Sequence, residues 1–263
     1  MIRAFGLLFG LYLTLFANSS APFGEAFALP VSKKDGQFVY MNAADLKIGE
    51  TGSIIRWFDT NHSAVVAKAV VVDIDDGEAK LLYRKYDALK NDAFPTAVLE
   101  PKRGDEVHMR SFNKRALLVA PDQEMYQKLT KTYDTIDWIH PDIFVSEIIK
   151  EGTIRPDRDD FRDFCSAYSV GVVYFVNGTK GEARDCSSFE ILKSDYISGL
   201  VAKDKRMKPL YSRIGNIEAG WLSFLNNDIG DFYTYYRNLL ETKEVDRKKS
   251  ILEQAEDMLD SLF

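Results

Sequence analysis

The chain is 263 residues long, 46% hydrophobic and 28% charged, with a formal net charge of −6 and an isoelectric point near 5.3. That balance describes a globular chain with enough apolar residues for one large or two small cores. The acidic total argues against a nucleic-acid binder, because neutralising phosphates needs a basic face.

Arg3 precedes an almost unbroken apolar run from Phe5 to Phe16, and small residues follow at Ala17, Ser19, Ser20 and Ala21. This is the pattern of an export signal. The run falls short of the roughly 20 apolar residues of a membrane-spanning helix, so an uncleaved anchor is the lesser reading. The signal is assigned to residues 1–28, where Ala26-Phe27-Ala28 has the small-x-small pattern. Ala21 is a second cleavage position, followed unfavourably by Pro22. No cysteine follows the run, which excludes lipidation at a mature N-terminal Cys.

Residues 29–47 read as an entry segment, with a strand at Gln37 to Met41 after the turn at Asp35-Gly36. Ser53 to Phe58 is an apolar strand bounded by Gly52 and by Asp59-Thr60-Asn61. Ala64 to Ile74 is valine-rich and reads as a long strand buried on most of its length. Asp76-Gly77 is the strongest hairpin signal in the chain, because such turns need positive φ at both central residues. The returning strand, Ala79 to Tyr86, mixes apolar and charged positions and has one wet face. A further turn at Gly104-Asp105 and a strand lie between Leu99 and Phe112. Repeated short strands with glycine turns predict an antiparallel barrel or sandwich over residues 29–112.

Beyond Phe112 the pattern changes. A short strand over Arg115 to Ala120 ends at Pro121-Asp122. Met125, Tyr126, Leu129 and Tyr133 then follow helical spacing. Ile136 to Ile139 is a strand, and His140-Pro141-Asp142 opens a helix carrying Ile143, Phe144, Ile148 and Ile149. Asp157 to Phe164 is an acidic helix start, Val170 to Val176 is a strand, and Asn177 to Gly181 turns the chain back towards Asp185-Cys186. Alternating strands and helices predict a small α/β part over residues 113–212. Residues 213–263 read as helical, with one apolar stripe at Phe232, Tyr235, Tyr236, Leu239 and Leu240. A second stripe lies at Ile251, Ala255, Met258 and Leu262, where Ser250-Ile251-Leu252-Glu253 has the capping-box pattern. Packing on the chain's own core is preferred for these stripes over a partner or a second copy. The expected class is α+β: an antiparallel β-barrel or sandwich, then the α/β part, then C-terminal helices.

Export bears on the two cysteines. In an oxidising compartment Cys165 and Cys186 form a bridge, worth roughly 3 kcal/mol by the loop-entropy account. The rival reading makes Cys165 a nucleophile, which needs a low thiolate pKa and a nearby His. The three histidines, His62, His108 and His140, lie near neither Cys in sequence, and no pair of them has metal-ligand spacing. Asp73-Ile74-Asp75-Asp76-Gly77-Glu78 lacks the ligand order of a calcium loop and is better read as the hairpin. Asp157, Asp159, Asp160 and Asp163 suit the first turn of a helix better than a cation. The residues therefore suggest no catalytic site, no metal and no cofactor.

A set of short motifs runs along the chain. It comprises His62-Ser63, Phe94-Pro95-Thr96, Pro101-Lys102-Arg103-Gly104-Asp105-Glu106, Ala120-Pro121-Asp122, Phe161-Arg162-Asp163-Phe164-Cys165, Asp185-Cys186-Ser187-Ser188-Phe189 and Leu210-Tyr211-Ser212-Arg213. In this order they resemble the N-terminal domain of the plasminogen-binding surface proteins of spiral gut-dwelling bacteria, over about residues 30–240. The resemblance implies an exported protein, periplasmic or on the surface, that captures host plasminogen through kringle modules. A kringle grips an ammonium with carboxylates and aromatics, a contact in which cation–π attraction helps. The family carries a terminal lysine, whereas this sequence ends Leu262-Phe263. Internal lysines are then the expected partners: Lys248 and Lys249, near Glu253, and Lys203, Lys205 and Lys208, before Pro209. The alternatives are a non-catalytic envelope module with another ligand, and an enzyme using Cys165.

Overall fold

The computed structural model describes residues 21–86, 99–150, 155–197, 209–214 and 231–241. The expected signal run, Phe94-Pro95-Thr96, all five candidate lysines and the stripe from Ile251 to Leu262 lie outside them. Among the described residues no helix is long and apolar enough to cross a membrane.

The first half forms a curled antiparallel sheet from β1 (Phe27–Pro30), β2 (Lys33–Asp35), β3 (Phe38–Asn42), β4 (Thr51–Trp57), β5 (Ser63–Asp75), β6 (Glu78–Lys85) and β7 (Glu106–Met109). Its order is β1-β7-β4-β5-β6-β3-β2. The two edge strands are consecutive in the chain, joined only by Val31 and Ser32. Val31 N donates to Asp105 O (2.8 Å), and Ser32 N donates to Tyr40 O (2.8 Å). One bent segment therefore pairs with β7 on one side and with β3 on the other, which leaves few open edge groups. Asp76 (φ 45°) and Gly77 (φ 76°) make the tight β5–β6 turn with positive φ at both central positions. Along β5, Ala67, Ala69 and Val71 face the interior with Val39, Met41, Ile54, Leu81 and Val107. Val70 and Val72 pack on the other face with Leu82. A bulge lets Val66 join the inner set beside Ala67.

The second half is a mixed sheet of β8 (Arg115–Val119), β9 (Asp137–Ile139), β10 (Val172–Asn177), β11 (Lys180–Asp185) and β12 (Ile191–Tyr196), in the order β12-β11-β10-β8-β9. β8 runs parallel to both β9 and β10, and the other pairs are antiparallel. Helix α1 (Gln123–Thr132) covers one face, where Met125 and Leu129 meet Ala116, Leu118 and Tyr174. Helices α2 (Pro141–Lys150), α3 (Arg158–Tyr168) and α4 (Phe232–Glu241) cover the other. Strands buried on both faces are continuously apolar, as β10 is. The α4 stripe is used internally. Phe232, Tyr236 and Leu240 are buried, and Tyr236 Oη donates to Pro209 O at 2.6 Å.

The expected barrel or sandwich, α/β part and C-terminal helix all appear in this mixed α+β fold. Four strands were not foreseen. β1 and β2 lie in what reads as an entry segment and its turn, because Pro30 and the polar Lys33-Lys34-Asp35 lack strand-forming side chains. β11 intersperses Gly and Ala among charged residues, and β12 mixes Ile191 and Tyr196 with Lys, Ser and Asp; neither has a β-branched run. Their pairing comes from the ladder itself, β11 on β10 and β12 on β11, and not from local propensity.

Candidate functional site

The two sheets meet along β4, the segment after β7, and the end of β11. Asp185 is the central contact. Its carboxylate accepts from Thr51 N (3.0 Å) and Thr51 Oγ1 (2.8 Å), and from Ser187 N and Ser188 N (3.0 Å each). Burial pushes the Asp185 pKa up, and these donors oppose that push. Gly171 lies so close to the backbone of Phe112 that a Cβ there would come within 2.5 Å of its carbonyl. Nearby, Arg110 donates to Glu50 from Nε (2.8 Å) and to Asp45 from Nη1 (2.9 Å). Arg110 and Glu50 are both buried, so this is a desolvated, bidentate pair.

Between the β7-β4-β5 face and the C-terminal end of α3 lies a cleft of about 160 Å³. Ser53, His108 and Phe112 line one side, and Ser166, Ser169 and Ser187 the other. The Cys165–Cys186 disulfide ties α3 to the end of β11 beside it, with a Cα–Cα distance of 6.1 Å. Both sulfurs are in that bond, so a Cys165 nucleophile has no thiolate here. His108 Nε2 lies 2.9 Å from Glu106, whose pKa is lowered by hydrogen bonds from His108 and Trp57. His62 pairs with Asp59 at the β4–β5 turn (2.8 Å), and His140 Nδ1 lies 3.3 Å from Asp142. Burial lowers the His140 pKa, with Asp142 opposing.

The three histidines thus sit in three separate carboxylate pairs. Among the described residues no group of His, Cys, Asp or Glu could hold a metal ion. The aspartates at the start of α3 form a capping box: Asp157 accepts from Asp160 N (3.0 Å), while Asp157 N donates to Asp160 (2.7 Å). A second, open groove lies at the β4–β5 tip, where the half-exposed Trp57 (49%) stands with Lys102 and Arg103. Sequence reasoning singled out neither the Asp185 junction nor the serine-lined cleft. The only signal for the junction was Asp185-Cys186-Ser187-Ser188, whose serine amides fold back on the carboxylate in an Asx turn.

The family model described as plasminogen-binding protein pgbA N-terminal matches residues 28–240. Plasminogen-binding protein PgbA of Helicobacter pylori strain J99 is 30% identical over 245 residues, which cover 90% of this chain and 53% of that protein. The PgbA of strain 26695 is 29% identical over the same shares. The chain thus spans about half the length of the curated relatives it matches. No solved structure matches it. With four-fifths of its residues matched, the chain belongs to the family of the plasminogen-binding protein pgbA N-terminal domain.

Proposed function

We propose that this protein is exported to the periplasm or cell surface and captures plasminogen through exposed lysines. One observation carries the reading: the family match over residues 28–240, with relatives named for plasminogen binding. The lysine chemistry follows from what a kringle grips, an ammonium between carboxylates with aromatic faces along the alkyl stem. Lys248 and Lys249, five and four residues before Glu253 in the sequence, are the first candidate group. Lys203, Lys205 and Lys208 form the second group. The family is named for binding, in keeping with a non-catalytic role.

Export also needs a cleavage position. Phe23 is buried among Tyr133, Trp138 and Tyr174, and Asn113 Nδ2 donates to its carbonyl (2.8 Å). Cleavage after Ala28 would remove that ring and half of β1, which supports a cut ahead of Phe23. Intact mass of the exported protein reads this directly. A mature chain starting at Leu29 contradicts it. For the function itself, purified protein is passed over immobilised plasminogen with and without a lysine analogue. Saturable binding abolished by the analogue is the expected result. Binding indifferent to the analogue, or no binding, removes the lysine reading.

A further inference from the structure

We propose that the cleft between the two sheets binds a neutral polyhydroxylated ligand of monosaccharide size, a pyranose ring stacked on Phe112 and hydrogen-bonded by the surrounding serines. The inference goes beyond plasminogen capture and does not depend on it.

The charged groups of the cleft are already engaged. Arg110 is held by Glu50 and Asp45, Asp185 by the Thr51, Ser187 and Ser188 donors, and His108 by Glu106. Lys68 lies over the Tyr86 ring, 5.8 Å from its centroid. An ionic ligand would have to compete with these partners. The hydroxyls are different. Those of Ser53, Ser111, Ser166, Ser169 and Ser187 make no hydrogen bond to any described residue. Each is both donor and acceptor, which matches the dual character of sugar hydroxyls.

These serines come from four separate stretches: β4, the segment after β7, the end of α3, and the turn after β11. Only the tertiary fold brings them to one cleft. Phe112 supplies the apolar wall. It is 51% exposed, yet its backbone is fixed by Gly171 behind it and by Arg115 N donating to its carbonyl (2.9 Å). An exposed aromatic beside solvent-facing hydroxyls that have no described protein partner suits a ring with one C–H face and a polar rim.

Size and rigidity agree with that ligand. A volume of about 160 Å³ leaves room for a single ring. Ser111, Phe112, Ser166 and Ser169 are exposed and form the open rim. The disulfide braces the wall of Ser166, Ser169 and Ser187, and the Thr51–Asp185 contact joins it to the β4 wall, so little ordering is left for binding to cost.

The test uses purified, disulfide-intact protein and saturation-transfer NMR. The probes are methyl glucoside, methyl galactoside and N-acetylglucosamine, with acetate and inorganic phosphate as ionic arms. Millimolar binding of at least one pyranose and of neither ion is expected. Phe112→Ala should weaken it about fivefold to tenfold, the size of one lost aromatic contact. Ser53→Ala/Ser187→Ala should weaken it comparably, with the melting curves of both variants unchanged. Absence of pyranose binding, binding of the ions instead, or wild-type affinity in either variant overturns the proposal. Plasminogen binding by the Phe112→Ala protein is measured separately, so failure of either reading leaves the other standing.

Discussion

The two sheets are filled with different materials. The buried interior of the seven-stranded sheet is aliphatic, built from Val, Ala, Ile, Leu and Met, and Ala67, Ala69 and Ala79 let the strands curl closely. The helix-covered side of the five-stranded sheet is aromatic: Phe144, Phe161, Phe164, Phe175, Phe189, Phe232 and Tyr236 touch one another there. The curled sheet keeps its rings, Phe27 and Tyr83, half-buried at the edge of its inner cluster, whereas the helices packed on the second sheet enclose rings completely. The barrel side compensates with charge, in the buried Arg110–Glu50 pair and the Arg56–Asp105 pair (2.8 Å). The α/β side adds the disulfide.

If that contrast is right, the largest single loss should come from the aromatic layer. Phe161 stacks on Phe144 (4.6 Å between centroids) and meets Phe175 edge-on. Phe161→Ala should cost about 3–5 kcal/mol in denaturant unfolding. A loss below about 1 kcal/mol would break the picture of rings as the main support.

On the barrel side the matching perturbation is electrostatic. Arg110→Met leaves Glu50 buried without its partner and should cost about 3–4 kcal/mol. Adding Glu50→Gln should restore much of it, since the cost lies in the orphaned charge. No recovery in the double variant would mean that the Arg110 stem, and not its charge, holds the site.

The disulfide comes next. It closes a separation of 21 residues, so Cys165→Ser/Cys186→Ser should lose about 3 kcal/mol by chain entropy. Melting curves with and without reductant give the same comparison on the wild type.

The smallest effect is a pH dependence. Burial raises the Asp142 pKa, but hydrogen bonds from Ser212 and Arg213 outweigh burial and bring it down to about 2. A carboxylate depressed below its usual 3.8 stabilises the fold above that value and loses its contribution as pH falls through 2. Asp142→Asn should therefore cost on the order of 1 kcal/mol at neutral pH. The gap from wild type should close between pH 4 and pH 2. A gap that is constant over that range would remove Asp142 as the charged anchor of the Leu210–Arg213 segment.

The same contrast explains what the sequence disclosed. The β4-β5-β6 hairpins were legible because alternation, valine content and Asp76-Gly77 are local signals. The start of α3 was legible from its aspartates. The closure of the first sheet was not, because it depends on a bend at Val31-Ser32 and on pairing between residues far apart in the chain. β11 has little strand propensity of its own and is held by β10, and the short β12 in turn pairs with β11. The cleft was invisible for the same reason: isolated serines in four stretches carry no shared period or motif. The cysteine pair was legible because only two cysteines occur in a chain read as exported.

We propose that Lys203, Lys205, Lys208, Lys248 and Lys249 meet plasminogen. This is tested most directly by replacing all five together with glutamine and measuring binding to immobilised plasminogen beside the wild type. The account predicts at least a tenfold weaker affinity, roughly 1.4 kcal/mol or more, with an unchanged melting curve. Equal affinity for the two proteins would contradict it.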